Sequence, residues 1–480
     1  MRGDEPERLA VRRFDMVVIG GGAGGLVAAK EARRRKASVA IVQDGPIGGD
    51  CTFTGCIPSK SLLAAAAAGQ GFDQAMASVR AAVTAIAATE DAAALRHEGI
   101  EVIPGRGRFT SRREVTVDGG LRVRARRFIV ATGARPYIPA IPGLADAGPL
   151  TSETLFSLDH RPRSLVVLGG GPVGCEMAQA FARLGCTVTL LEARTRLLSR
   201  DEPEAAAVVG RALEADGVRV QVSARVHRVE RPGADRIAVH LDDGTVLEST
   251  HLLVAVGRAP AGRGIGLEEL GATVDDDGAV VVADDLSTGV AGIWAVGDVT
   301  GRWQFTHVAG RMGWLAATNA LSRLARVRPF RFDTTATPWV TFTGPEVAHV
   351  GMGLAAAAAA HPGARVAHLP LSHVDRAVTS GATDGFVRLI AAPRRGSGHL
   401  GGGRLVGATI VAPTAGELIH EAALAIQTRM FAGRLAQTPH AYPSWSMAVQ
   451  QAALQFFGTS AGLRARPIEA VLAERRSSAT

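Results

Sequence analysis

The sequence predicts an α/β fold with two Rossmann-like dinucleotide-binding domains followed by a C-terminal α+β domain. Three observations carry this. The apolar run Phe14-Asp15-Met16-Val17-Val18-Ile19 enters Gly20-Gly21-Gly22-Ala23-Gly24-Gly25 and then a helix-like stretch to Arg35. Residues 164–168 repeat the pattern, entering Gly169-Gly170-Gly171-Pro172-Val173-Gly174 and an apolar-periodic helix. Strand, glycine turn and helix in that order build an anion cradle at a helix N-terminus. From about Pro329 the character changes, and segments 339–342, 347–350, 366–371, 386–392 and 405–411 read as an antiparallel sheet followed by two helical stretches.

A chain of 480 residues with 47% hydrophobic content accommodates roughly three domains. The formal charge is +8, but only three of the 53 basic residues are lysines and the arginines are scattered. That pattern is a composition bias rather than a nucleic-acid-binding surface. The first thirteen residues are polar and charged, without the apolar core of a secretory signal. Nowhere do ~18 apolar residues run together. A cytoplasmic protein with neither nucleic-acid nor membrane partner is expected. In that compartment a close cysteine pair is more often catalytic than structural.

Taken in order, the second strand (38–42) leads to Gln43 and Asp44, where an acid is expected to hold a ribose hydroxyl. Next comes Gly48-Gly49-Asp50-Cys51-Thr52-Phe53-Thr54-Gly55-Cys56-Ile57-Pro58-Ser59-Lys60. In a regular helix, side chains five apart turn away from each other. A bridge between Cys51 and Cys56 therefore needs a distorted turn, which Gly48, Gly49 and Gly55 permit. Thiolates at a helix start are favoured by unpaired N–H groups and the helix dipole. Lys60, one of the three lysines, lies beside them. Residues 61–97 read as helix, and strands ending at Val130 lead into Ala131-Thr132-Gly133. In the second unit the strand 187–191 ends at Glu192, eighteen residues past Gly174. A carboxylate there accepts a free 2′-hydroxyl and repels a 2′-phosphate, which favours NAD; Arg194 nearby keeps NADP as the other candidate. Two such units imply two dinucleotides, and a flavin beside a nicotinamide is the simplest pairing that yields chemistry. Later, Gly257-Arg258 follows one strand, and Gly297-Asp298 closes another, placing a carboxylate where a sugar hydroxyl would lie.

These motifs, in this order, resemble the class I pyridine nucleotide-disulfide oxidoreductases, which include dihydrolipoamide dehydrogenase, glutathione reductase and mercuric reductase. The likeness spans Phe14 to Phe457 and includes Phe342-Thr343-Gly344-Pro345-Glu346. It implies a disordered tail (1–13), an FAD-binding domain in two parts (14–150 and 273–328) around an NAD(P)-binding domain (151–272), a homodimer-forming interface domain (329–465) and a C-terminal tail (466–480). By resemblance, Cys56 faces the flavin as the charge-transfer thiol and Cys51 is the interchange thiol. Lys60 would sit by the flavin and pair with Glu176. Gly20, Gly22, Gly25, Gln43, Asp44, Gly49, Ala131, Thr132, Gly133, Gly297, Asp298 and His307 would line the FAD site, and Gly169, Gly171, Gly174, Glu192, Arg194 and Gly257 the NAD(P) site. No metal site is implied. Cys175 and Cys186 match no redox position and read as core residues.

The departures bear on substrate. Disulfide-reducing members deliver a histidine base aligned by a glutamate from the partner subunit; here Tyr442 and Met447 fall at those places. A phenol with pKa ~10 is a poor base near neutrality, and His440 two residues earlier is the substitute candidate. Tyrosine at this position is similar to mercuric reductase, yet no cysteine follows Cys186 and no N-terminal Cys-x2-Cys module is present. The expected protein is an FAD-dependent NAD(P)H oxidoreductase with a redox-active Cys51–Cys56 disulfide. It would pass electrons to a metal ion, a quinone or another small acceptor. The alternatives are a dihydrolipoamide dehydrogenase or low-molecular-weight disulfide reductase, and a redox-responsive flavoprotein that binds partners without turnover.

Overall fold

The computed structural model describes residues 11–394 and 396–477. Two compact units are present. The first comprises the residues up to Pro139, Leu150–Arg161 and Val256–Phe332; the second comprises Ala140–Pro149, Pro162–Ala255 and the residues from Asp333 on.

The first unit is built on a seven-stranded sheet. β1 (Val11–Ile19) runs parallel to β2 (Val39–Gln43) on one side and to Leu121–Val130 on the other. Ile100–Pro104 extends the sheet beyond β2, and Ile293–Ala295 pairs with the C-terminal end of Leu121–Val130. The central strands are buried on both faces: Met16, Val17, Val18, Ile41, Ile129 and Val130 have no more than 1% exposure. α1 (Ala23–Arg34) packs along the helix Thr306–Leu321, in contact close enough that a Cβ on Gly313 would lie 2.1 Å from the Gly24 carbonyl oxygen. After β2 come α2 (Gly49–Phe53), α3 (Cys56–Ala67) and α4 (Phe72–Ala87).

The second unit carries three sheets. Arg219–Gln221, Thr187–Leu191, Ser164–Leu168 and His251–Val254 form a parallel sheet, followed in chain order at its first strand by the helix Pro172–Arg183. Val226–Gly233, Arg236–Leu241 and Val246–Ser249 form an antiparallel meander. The third sheet is antiparallel, ordered Pro338–Thr341, Glu346–Gly351, Arg404–Ala412, Phe386–Ala392, Arg365–Pro370, Arg466–Pro467. The helices Ala415–Gln427 and Met447–Leu454 share its core through Ile419, Ala422, Ala448 and Val449.

Several boundaries differ from the sequence expectation: instead of one crossing at 151, Ala140–Pro149 already belongs to the second unit and Leu150–Arg161 returns to the first, which then runs on to Phe332 rather than 328. The expected tail lies outside the described residues only as far as position 10, and its last three residues are strand: Val11, Arg12 and Arg13 pair with Arg122, Val123 and Arg124. The expected exit from the second domain at 272 comes earlier. Arg258–Pro260 pairs with Ala134–Pro136, the Phe109 N–H donates to the Ile265 carbonyl at 2.8 Å, and Leu267 is buried in the first unit's core. The expected C-terminal tail folds as a strand and the helix Ile468–Ser477, because Ile468 is fully buried and Arg475 reaches Glu202 (2.9 Å) and Glu204. Among the described residues, no helix is long and apolar enough to cross a membrane.

Gly313→Ala should lower stability by about 1–3 kcal/mol through overpacking at the α1 contact, read as a lower denaturant midpoint with an unchanged m-value.

Candidate active site

α1 starts at Gly22 with no side-chain cap and no acid in its first turn. Its first N–H groups are therefore free to face an anion. The turn is held open by close backbone approaches. Gly20 has φ +104°, and a Cβ there would lie 2.2 Å from the Ala131 carbonyl oxygen; a Cβ on Gly25 would lie 2.0 Å from that of Gly20. The helix Pro172–Arg183 repeats this design: Gly171 is its uncapped start, a Cβ on Gly174 would lie 1.8 Å from the Gly169 carbonyl oxygen, and Gly171 has open space around it.

The residues after the two second strands behave alike despite their different charge. Glu192 accepts from the Gly170 N–H at 2.7 Å and from the Arg194 N–H at 2.8 Å. Gln43 accepts from the Gly21 N–H at 2.6 Å, while its amide nitrogen donates to the carbonyls of Asp44 and Pro46. Asp44 is exposed and pairs with Arg106 at 2.6 Å. The amide thus takes the place at the loop, and the neighbouring carboxylate is turned to a guanidinium.

The cysteine segment is anchored on the first glycine turn. The Gly48 N–H donates to the Gly21 carbonyl at 2.9 Å, and Gly49, at φ +65°, sits so close that a Cβ would lie 2.7 Å from Gly22 Cα. α2 ends after one turn, and Gly55 carries the chain into α3 where a Cβ would lie 2.8 Å from the Asp50 carbonyl oxygen. This broken helix brings together two cysteines that a continuous helix would separate. Both thiols are half-buried. Cys51 is pushed well above its ordinary range, first by hydrogen bonding to Cys56 and then by burial. Cys56 opens α3, where unpaired N–H groups favour its thiolate, and its Sγ lies 3.2 Å from the Thr306 hydroxyl. Lys60 lies one turn further along α3.

Around this pair stand Asp298 and Arg258. Gly297, at φ +75°, starts the turn Gly297–Thr300, and burial raises the Asp298 carboxyl, opposed by Arg258 and reinforced by Asp50 and Cys56. The Thr132 hydroxyl donates to the Ala261 carbonyl at 2.7 Å, and the Gly133 carbonyl accepts from the Ala261 N–H at 3.0 Å. His307 follows Thr306 and stacks on Phe305 with centroids 5.6 Å apart. Gly257 belongs to the first unit, where its carbonyl accepts from the Tyr137 N–H.

In the second unit Glu176 is 3% exposed and accepts from the Phe342 N–H at 2.9 Å. Tyr442 is 70% exposed, precedes a cis proline, and its hydroxyl donates to Asp375 at 3.0 Å; that hydrogen bond raises the phenol further from ionisation. The His440 ring is enclosed, with Nδ1 2.7 Å from the Thr438 carbonyl and Nε2 3.1 Å from Glu421. Both nitrogens are engaged in holding the loop. Cys175 and Cys186 are buried, as expected of core residues. Sequence reasoning missed Thr306, Asp375 and Glu421, which bear no motif, and the pairing of Asp50 with Arg258, both of which lie inside quoted motifs.

Two uncapped glycine-turn helices and a thiol pair on a broken helix define a dinucleotide-dependent dithiol oxidoreductase. The profile described as pyridine nucleotide-disulphide oxidoreductase matches residues 14–313, and that family's dimerisation domain matches residues 337–453. The chain belongs to this family, as an FAD-dependent enzyme with NAD(P)H as electron donor; the dimerisation domain supports a homodimer. A mercuric reductase from Streptomyces lividans is 37% identical over 92% of this chain and 96% of its own. A dihydrolipoyl dehydrogenase from Chlamydia pneumoniae is 32% identical over 92% and 97%. Among solved structures, the Cu(II) complex of the HOCl-induced flavoprotein disulfide reductase RclA from Escherichia coli superposes with TM-score 0.83 at 27% identity, covering 92% of this chain and 99% of its own. LpdA from Mycobacterium tuberculosis gives TM-score 0.83 at 30% identity, covering 93% and 100%.

The residues present fit FAD: an uncapped helix start for the pyrophosphate, and Asp298 for a sugar hydroxyl. In the NADH-reduced holoenzyme, long-wavelength thiolate–flavin absorbance should survive Cys51→Ser and vanish on Cys56→Ser. Equal behaviour of the two variants would reverse the assignment of the thiolate to the start of α3.

Proposed function

We propose that this enzyme uses NADH to reduce the Cys51–Cys56 disulfide and that the resulting dithiol reduces a soft metal ion, with Tyr442 lining the acceptor site. Quinones and other small electrophiles are the further acceptors of the same class. Bound FAD supplies two-electron relay between nicotinamide and disulfide. The chain's own part is to hold the sulfurs. Reduction adds two electrons and one proton to the disulfide; the S–S bond breaks, Cys51 keeps the proton and Cys56 remains the thiolate. Discharge onto Hg(II) returns the disulfide and gives Hg(0), and onto Cu(II) gives two Cu(I), with the proton released to solvent. Thiolates suit such soft ions.

The observation that carries this reading is the Tyr442 loop. It presents a phenol that Asp375 moves further from ionisation, so the phenol is a poor base, while the nearby imidazole is held by Glu421 and the Thr438 carbonyl. Disulfide exchange needs a proton delivered to each departing sulfur, and losing a positioned acid–base typically costs ~10²- to 10⁴-fold in rate. Metal reduction makes no such demand. The names of the mercuric reductase relatives and of the Cu(II) complex support the same choice, whereas the dihydrolipoyl dehydrogenase likeness favours lipoamide. Glu192 at the second glycine turn supports NADH over NADPH.

Under anaerobic conditions the NADH-reduced enzyme should be reoxidised by Hg(II) or Cu(II) at least ~100-fold faster than by lipoamide; comparable lipoamide rates would overturn the metal reading in favour of a disulfide reductase. Tyr442→Phe should slow reoxidation by roughly tenfold, the worth of one hydrogen bond to a charged group, and leave reduction by NADH unchanged. NADH should reduce the enzyme at lower concentration than NADPH.

A further inference from the structure

Asp50 sits between Gly49, which is packed on the first glycine turn, and Cys51, and its carboxylate forms an ion pair with Nη2 of Arg258. The same guanidinium donates to the Ala134 carbonyl at 2.8 Å. Its Nε lies 3.5 Å from Asp298 Oδ2, within ion-pair range but without hydrogen-bond geometry. One arginine therefore stands between two carboxylates, and Asp298 feels the charges of Arg258, Asp50 and Cys56 together. The arrangement is asymmetric. Asp298 is expected to turn to a sugar hydroxyl, so Asp50 is the carboxylate available to neutralise Arg258.

We propose that Asp50 tunes the redox pair by neutralising Arg258, whose positive charge would otherwise stabilise the Cys56 thiolate. Asp50 is thus a positioning residue that acts through Arg258 and does not touch the acceptor. This rests on the assignment of Cys56 as the flavin-facing thiolate. With Asp50 present, the group of Asp50, Arg258 and Asp298 carries one net negative charge when all are ionised. Removing the Asp50 charge makes the group neutral; removing the Arg258 charge makes it doubly negative. The thiolate should respond in opposite directions to the two changes, since a nearby positive charge lowers a thiol pKa and a negative one raises it.

The other titratable or charged groups on elements packed around the sulfurs are Lys60 on α3, His307 and Arg311 on the helix that Thr306 opens, and Asp73 and Arg80 on α4. Arg311, Asp73 and Arg80 face solvent. None of these is altered by either substitution, so they shift the absolute titration without changing the sign of the difference.

The test is a pH titration of the long-wavelength absorbance of the NADH-reduced holoenzyme, native and substituted. Asp50→Asn should move the half-maximal pH down by about one unit, and Arg258→Met should move it up by a similar amount. Asp50→Glu, which keeps the charge, should titrate like the native protein and controls for loss of packing. A band that titrates at the same pH in all four proteins, or shifts in the same direction in Asp50→Asn and Arg258→Met, overturns the inference while leaving the thiol assignment standing. Absence of the band from the native reduced protein overturns the thiol assignment and this inference with it.

Discussion

The close backbone contact between Gly49 and Gly22 is the constraint on which the first unit's chemistry depends. Two chain segments that must both reach the cofactor, one for phosphate and one for sulfur, share a contact that admits no side chain. The hydrogen bond from Gly48 to the Gly21 carbonyl fixes their register. Because the contact is backbone on backbone, it carries none of the rotamer freedom of a side-chain contact. The start of α1 and the broken helix bearing the cysteines are therefore held together backbone to backbone.

The two glycine turns show how little the charge of the residue after the second strand matters to the turn itself. Gln43 and Glu192 both offer an oxygen to the second glycine's N–H, at 2.6 and 2.7 Å. What differs is the remainder of each side chain. Glu192 spends its second oxygen on the Arg194 N–H. Gln43 spends its nitrogen on two carbonyls and is neutral. The oxygen alone serves the fold at this position.

Much of this was legible in the residues because it lies in local pattern. Both strand–glycine–helix units, the antiparallel C-terminal sheet and the distorted turn at Gly55 follow from periodicity and from glycines at places where a Cβ has no room. The domain boundary at 272 was misplaced because the return to the first unit is made by the short strand Arg258–Pro260, whose partner at Ala134–Pro136 lies more than a hundred residues earlier. Likewise the helix Ile468–Ser477 has a weak apolar stripe of its own, and it is fixed by Arg475 meeting Glu202 and Glu204. The partners of the site residues were illegible for the same reason: Thr306 meets Cys56, and Asp375 meets Tyr442, only after folding.

The helix Thr306–Leu321 touches the site at one end and the scaffold at its middle. Thr306 reaches the Cys56 sulfur, and Gly313, seven residues on and roughly 10 Å along the axis, lies against α1. Between these two points the chain cannot gain or lose a residue: a single insertion would swing the hydroxyl by about 100° around the axis and pull the small residue away from its opposing carbonyl. The span works as a ruler, and length variation in relatives should be expelled to the connections outside it.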